Sequence, residues 1–175
     1  MALAFGVTES TVRGTHHERT RCMPLDREDT AMDCPDCGAE TMTFAVPSAY
    51  GECVPEAAST LALCPRCLHL HPVPADAGVA VADVTPESPD QADAPAFERV
   101  GDAFPTDPDA AIPMAILVGL LDSLALYREE IATLLDAVER AGTDPLLVID
   151  RLAADPAVET DVELARRRHQ LEQLL

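Results

Sequence analysis

The distribution of apolar residues predicts that the last part of the chain, residues 109–175, is helical. Residues 112–126 are apolar almost all the way round, which is typical of a central, buried helix, and Pro113 is placed in its first turn, where proline is tolerated. A second helix is expected to begin near Arg128, because apolar residues then recur with the i, i+3, i+4, i+7 spacing of one helix face. That stripe consists of Ile131, Leu134, Leu135 and Val138.

Capping residues divide this helical region. Gly142 is predicted to end the second helix. Asp144 followed by Pro145 is an N-cap with proline at the first helical position, so a short third helix is expected after it. A proline-containing break follows, and a last helix is predicted over residues 161–174.

An alternating pattern predicts a small antiparallel sheet between residues 33 and 73. Polar and apolar residues alternate from Glu40 to Val46, and Pro47 then ends the strand. Residues 60–63 form a second apolar run, and residues 68–71 alternate again. The predicted fold class is therefore α+β, with an N-terminal antiparallel β module and a C-terminal helical domain.

The regions outside these two units are interpreted from their composition. Residues 74–108 are rich in Pro, Ala and Asp and form a predicted linker. Within it, residues 97–104 hold two of the four phenylalanines of the chain, so this segment is predicted to dock on the helices. Residues 1–31 lack hydrophobic periodicity and are predicted to be disordered. Because Met32 directly precedes the β module, we interpret them as an artefactual extension from an upstream start.

The chain is strongly acidic. It has 31 acidic and 12 basic residues, a formal net charge of −19, and no lysine. This composition indicates adaptation to a halophilic cytoplasm, where a dense carboxylate surface keeps a protein solvated. Such a charge repels phosphate backbones and anionic membranes at ordinary salt. At about 1 M salt the Debye length is only about 3 Å, so the charge then says little about partners.

The sequence also predicts a location. The longest apolar run, residues 110–121, is shorter than the ~20 residues that a membrane span requires, and no secretory signal is visible. We therefore predict a cytoplasmic protein that does not enter a membrane. In that compartment cysteines stay reduced, and paired cysteines bind metal more often than they form disulfides.

Two C-x-x-C pairs carry the candidate chemistry. They are Cys34 with Cys37 and Cys64 with Cys67, and 26 residues separate the inner cysteines. This spacing predicts four thiolate ligands for one structural Zn²⁺ ion, held tetrahedrally at about 2.3 Å. Together with the predicted strands, it makes residues 32–73 a zinc ribbon. The four protein ligands complete the metal shell and leave no position for water or substrate, so we predict that the protein is not an enzyme.

A metal is expected to be essential to so small a module, because about 40 residues rarely suffice for a stable core alone. We therefore expect the ribbon to unfold when the metal is removed, while the helices persist.

Iron is the alternative metal, because rubredoxins, which resemble this arrangement, also bind it through paired C-P-x-C turns. Rubredoxins carry glycine after both pairs. Gly38 follows the first pair and adopts a positive φ easily, whereas Leu68 follows the second and would lose roughly 1–2 kcal/mol in that conformation. We expect the second turn to relax differently, and we favour zinc.

Other residues near the pairs have less specific interpretations. His69 and His71 either replace a cysteine ligand or lie on the strand surface and hydrogen-bond around the site, and we favour the second reading because four thiolates already complete the shell. Cys53 is interpreted as a small buried apolar residue, and Cys22 as an exposed thiol without a role.

Three consecutive arginines, residues 166–168, are the main basic feature. Glu163 with Arg167, and Arg168 with Glu172, are spaced i, i+4 and are predicted to pair along a helix. The run is therefore interpreted as a solvated helix face. Nucleic-acid binding stays open as an alternative, but the overall charge does not support it.

Six segments carry a resemblance to a known family: residues 32–40, 44–47, 64–68, 119–126, 144–147 and 170–175. They resemble an uncharacterised family of small haloarchaeal zinc-ribbon proteins with a CPxCG motif, and the resemblance extends roughly over residues 32–175. It agrees with a start at Met32 and with salt adaptation, and it implies no known activity.

The sequence leads to one functional hypothesis and two alternatives. The first is a non-enzymatic zinc-ribbon protein that acts as a protein-interaction or regulatory adaptor, with another protein as its partner. The alternatives are a nucleic-acid-binding accessory factor, by analogy with other ribbons alone, and a rubredoxin-like iron electron carrier.

Overall fold

The computed structural model describes residues 32–75 and 96–173, which form a small β-sheet followed by helices. The predicted α+β class is confirmed. Residues 1–31 and 76–95, which hold the predicted N-terminal extension and most of the predicted linker, lie outside the described residues. The elements are strands β1 (Met42–Ala45), β2 (Thr60–Leu63) and β3 (Leu70–Pro72), and helices α1 (Pro108–Leu120), α2 (Arg128–Arg140), α3 (Pro145–Ala154) and α4 (Leu164–Leu171).

The strands form an antiparallel sheet in the order β1-β2-β3. The predicted alternation is present in β1, where Met42 and Phe44 are buried while Thr43 and Ala45 are only half-buried. Phe44 lies opposite Leu61 of β2, so the two side chains share one face of the sheet. This apolar face requires a second layer to cover it.

Helix α1 begins and ends earlier than the hydrophobic pattern predicted. The Asp107 carboxylate accepts a hydrogen bond from the backbone N–H of Asp109 at 3.0 Å, and Pro108 occupies the first helical position. Pro113 therefore lies inside the helix, and its predicted place in the first turn of a helix over residues 112–126 is wrong. The capping pair decides the start, because an N-cap and a fixed φ define a helix terminus more directly than apolar composition does.

The other helix ends follow the predicted capping. Gly142 has a φ of +85°, and its N–H donates to the carbonyl of Glu139 at 2.9 Å, which ends α2. The Asp144 carboxylate accepts a hydrogen bond from the Leu147 N–H at 3.0 Å and opens α3. Helix α4 is shorter than the predicted 161–174.

Helix α1 is the central helix that the sequence predicted. Ten of its 13 residues are buried, so it is covered on all sides rather than along one stripe. Among the helices of residues 32–75 and 96–173, none combines the length and the apolar character needed to cross a bilayer.

Buried side chains of the sheet, of residues 97–104 and of the helices form one hydrophobic cluster. Phe97 connects its parts, since its ring centroid lies 5.7 Å from that of Phe44 in β1 and 6.0 Å from that of Phe104. Because this core is continuous, the sheet and the helices stabilise one another. The domain boundaries drawn from the sequence stay predictions.

Gly119 marks a close contact between α1 and β3. A Cβ atom at Gly119 would lie 2.4 Å from the Cβ atom of Leu70, and neither atom can move without its backbone. We expect Gly119→Ala to lower the free energy of unfolding by about 1–3 kcal/mol through overpacking, although alanine has the higher helix propensity by about 1 kcal/mol.

Urea unfolding measures this effect. Gly51→Ala is the control, because nothing lies within 4 Å of a Cβ atom added there. An unchanged or higher unfolding midpoint for Gly119→Ala would contradict the close packing of α1 on β3.

A second contact joins the predicted ribbon, residues 32–73, to the segment between α3 and α4. The backbone N–H of Glu159 donates to the carbonyl of Arg66 at 2.7 Å, and Nε of Arg66 donates to the Glu159 carboxylate at 3.0 Å. The two side chains are 47% and 62% exposed, so solvent screens their ion pair and it contributes little to stability. The backbone hydrogen bond is therefore the part of the contact that fixes the ribbon against the helical region.

Candidate metal centre

The two C-x-x-C turns have the same backbone conformation. The N–H of Gly38 donates to the carbonyl of Cys34 at 2.8 Å, and the N–H of Leu68 donates to the carbonyl of Cys64 at 2.9 Å. Gly38 has a φ of +71° and Leu68 a φ of +62°. Each turn therefore presents its two cysteines in the same way, as the repeated C-P-x-C sequence requires.

The expectation that the second turn relaxes differently is wrong. Leu68 adopts the left-handed conformation and is only 2% exposed, as part of the hydrophobic core. Burying a leucine contributes about 1.5–3 kcal/mol, a gain large enough to offset the roughly 1–2 kcal/mol that this conformation costs a residue with a Cβ atom. Burial of the side chain therefore offsets the backbone preference.

The turns bring the four sulfur atoms into one group, called here the four-cysteine group (Cys34, Cys37, Cys64 and Cys67). All four lie within 4.8 Å of one another. The Sγ atoms of Cys34 and Cys67 are 3.5 Å apart, and those of Cys37 and Cys64 are 3.4 Å apart. Sulfurs placed tetrahedrally at 2.3 Å from a zinc ion are about 3.8 Å apart. The four-cysteine group thus has the size and the donor type to hold one metal ion.

The cysteines differ in burial and in acidity. Cys64 and Cys67 are buried, and burial raises the pKa of both thiols. Cys37 is half-buried, and a hydrogen bond from the backbone of Ala39 is the main cause that lowers its pKa. A divalent cation must displace protons from the buried thiols, so metal binding here is coupled to proton release.

His69 and His71 lie beside the four-cysteine group and meet the side chain of Asp36. Oδ2 of Asp36 is 2.9 Å from Nδ1 of His69 and 3.2 Å from Nε2 of His71. Nε2 of His71 is also 3.6 Å from Sγ of Cys34. This arrangement agrees with the favoured interpretation, in which the histidines bond around the site instead of replacing a cysteine.

Sequence reasoning missed the part that Asp36 has in this arrangement. One signal was present, because residues 69 and 71 are two apart and side chains with that spacing share one face of an extended chain. A second signal was the position of Asp36 inside the first C-x-x-C turn. How close the first C-x-x-C turn lies to β3 depends on how the whole ribbon folds, and the spacing of residues along the chain does not predict that distance.

Cys53 lies in the hydrophobic core, away from the four-cysteine group, and is 6% exposed. Burial raises the pKa of its thiol, and Glu130 and Glu52 add to the effect. These observations agree with the interpretation of Cys53 as a small apolar residue. Cys22 lies outside the described residues.

Two of the three arginines in the run on α4 are paired with carboxylates. Arg168 contacts the carboxylates of Glu172 at 2.6 Å and Asp150 at 2.7 Å, and the predicted i, i+4 pair with Glu172 is confirmed. The predicted pair of Glu163 with Arg167 is wrong, because Glu163 pairs with Arg166 at 3.4 Å. The side chain of Arg167 instead points toward the α1–α2 connection, where it donates to the backbone carbonyl of residue 122 at 2.8 Å.

Comparison with known proteins gives one result. A family model described as a family of unknown function (DUF6276) matches residues 33–175. No curated protein and no solved structure matches the chain.

Proposed function

Since the chain belongs to a protein family of unknown function, we propose from its own geometry that it is a zinc-binding protein and a non-enzymatic protein-interaction or regulatory adaptor. The observation that carries this proposal is the convergence of four cysteine sulfurs within 4.8 Å. Four thiolates complete the tetrahedral shell of zinc, so the ion has a structural role and no open position for a substrate.

The proposed metal is zinc, and iron in a rubredoxin-like electron carrier is the second candidate. One observation favours iron: Leu68 has the backbone conformation that a glycine has at this position, so both turns match the rubredoxin pattern. Zinc is preferred because four cysteines in two C-x-x-C pairs are the usual ligand set of structural zinc. Both metals accept sulfur ligands in a tetrahedron, so metal analysis decides between them.

The adaptor role is supported by two exposed apolar side chains in an acidic chain. Leu126, in the α1–α2 connection, is 74% exposed, and Leu147, in the first turn of α3, is 46% exposed. With a formal charge of −19 and no lysine, we place the protein in a halophilic cytoplasm, where screening at molar salt leaves apolar contact as the main attraction between proteins.

Nucleic-acid binding has less support. Arg66 is the only arginine of residues 32–73, and its side chain is paired with Glu159. On α4, Arg166 and Arg168 are also paired with carboxylates. A phosphate backbone would have to compete with these carboxylates for the arginines.

Affinity capture from the native high-salt lysate, with metal analysis of the same sample, tests the proposal. We expect one zinc ion per chain, no visible absorption band, and a protein partner that stays bound in molar KCl after nuclease treatment. Leu126→Glu should weaken capture without changing the zinc content, and Glu98→Gln, at another exposed position, is the control. A red, iron-containing sample would favour the electron carrier, and a complex that nuclease dissolves would favour the nucleic-acid factor.

A further inference from the structure

A second set of possible metal donors lies on the solvent side of the four-cysteine group. Sγ of Cys34, a carboxylate oxygen of Asp36 and a ring nitrogen of His71 all lie within 4.8 Å of one another. Cys34 belongs to both sets. The side chains of Asp36 and His71 are 47% and 21% exposed, so two of the three donors reach water, whereas Cys34 is 2% exposed.

The two donor distances from His71 are close to those around one small cation. Nε2 of His71 is 3.2 Å from Oδ2 of Asp36 and 3.6 Å from Sγ of Cys34. Ligands placed tetrahedrally at about 2.0–2.1 Å for nitrogen or oxygen and 2.3 Å for sulfur are roughly 3.3–3.6 Å apart. Both distances from His71 are thus close to those around a shared ion, and the Asp36 oxygen and the Cys34 sulfur lie within 4.8 Å of each other.

A neighbouring histidine orients one of these donors. Nδ1 of His69 lies 2.9 Å from Oδ2 of Asp36, the same oxygen that His71 contacts. A carboxylate oxygen has two lone pairs, so Asp36 can accept a hydrogen bond from His69 and still bind a cation. Hydrogen bonds of this kind hold metal ligands in place in known sites.

Charge favours a cation at this place. A divalent ion with four thiolates carries a net charge of about −2, and Asp36 adds a further negative charge beside it. Sulfur and imidazole donors select borderline or soft divalent transition metals over calcium or magnesium.

We propose that Cys34, Asp36 and His71 form a second transition-metal site, in which the Cys34 sulfur is shared with the ion of the four-cysteine group and His69 orients Asp36. The second site rests on the first and on the proposed function, because Cys34 is a ligand of both ions. The second ion binds more weakly than the first, since it has three protein ligands and is exposed to water.

Equilibrium dialysis of the full chain against increasing Zn²⁺ in molar KCl, followed by metal analysis, tests this inference. We expect two zinc ions per chain, bound in two separate steps. His71→Ala and Asp36→Asn should each lose the second step and keep the first. His169→Ala is the matched control, because this histidine is 74% exposed on α4 and far from the cysteines in sequence, and it should retain both steps.

Cadmium NMR on the same variants identifies the donors. The wild-type chain should show one ¹¹³Cd resonance typical of four sulfurs and one typical of mixed sulfur, nitrogen and oxygen ligation, and His71→Ala should keep only the first. A single zinc ion in the wild-type chain would overturn the second site and leave the four-cysteine site intact, whereas no bound zinc would overturn both. A second ion that remains in both His71→Ala and Asp36→Asn would also overturn it.

Discussion

Cys64→Ser is expected to abolish metal retention and to unfold the ribbon. Cys64 is completely buried, and its sulfur lies 3.4 Å from that of Cys37, so the substitution removes a donor from the inside of the four-cysteine group. Structural zinc contributes on the order of 10–16 kcal/mol in small cysteine-rich modules. A typical domain has a total stability of only about 5–15 kcal/mol, so the remaining contacts cannot offset this loss.

Because the sheet and the helices share one hydrophobic core, loss of the metal is also expected to destabilise the helices. The sequence led us to expect that they persist without metal, and their local caps support this. However, loss of the sheet would uncover the side of α1 where Gly119 meets Leu70 and would remove Phe44 from Phe97. We therefore expect the helical signal to remain at low temperature and to melt at a lower temperature than in the wild-type chain.

Circular dichroism, limited proteolysis and zinc analysis measure this prediction. Cys53→Ala is the matched control, because it removes another buried cysteine that lies outside the four-cysteine group. It should keep its zinc and most of its stability, since loss of one small side chain costs about 1 kcal/mol. A Cys64→Ser variant with full zinc content and a protease-resistant ribbon would contradict the proposed metal centre.

Phe44→Ala is expected to lower the free energy of unfolding by about 3–5 kcal/mol. Phe44 is fully buried, lies opposite Leu61 in the sheet, and packs against Phe97 with ring centroids 5.7 Å apart. Phe44→Ala leaves a cavity between Leu61 of the sheet and Phe97 of the segment before α1. Because these neighbours belong to different elements, they cannot fill the cavity unless the sheet moves. The cavity is therefore expected to persist, which gives a cost in the upper part of the usual range.

Urea unfolding at constant zinc concentration measures the effect of Phe44→Ala. Thr43→Ala is the control in the same strand, because Thr43 is only half-buried and should change stability by less than about 0.5–1 kcal/mol. Both variants should retain one zinc ion in the four-cysteine group, which separates a packing defect from metal loss. A cost for Phe44→Ala as small as that of the control would mean that the sheet does not pack on residues 97–104.

Local sequence signals predicted much of the structure. The C-x-x-C pairs identified the four-cysteine group because a turn of this length presents two sulfurs to one ion whatever surrounds it. Gly142 and Asp144 marked helix ends because their effects depend on adjacent backbone groups. Alternation in β1 placed Phe44 on the buried face, since side chains in a strand point to opposite sides in turn.

The features that were missed depend on residues far apart in sequence. Leu68 adopts a left-handed conformation because its side chain is buried in a core assembled from the rest of the chain. Asp36 reaches His71 only after the ribbon has folded. The start of α1 is the exception, because its signal is local: Asp107 and Pro108 form a capping pair just before the apolar run.

The hydrogen bond between Glu159 and Arg66 has a consequence for the order of events during translation. The two residues are 93 positions apart, and ribosomes add roughly 5–20 residues per second, so Arg66 is synthesised on the order of 5–20 s before its partner. Within that interval a cation can bind the four cysteines of the nascent chain, before the helices that cover the apolar face of the sheet have been synthesised. Metal binding would then fix the two cysteine turns first, and the helices would dock on a sheet that is already formed.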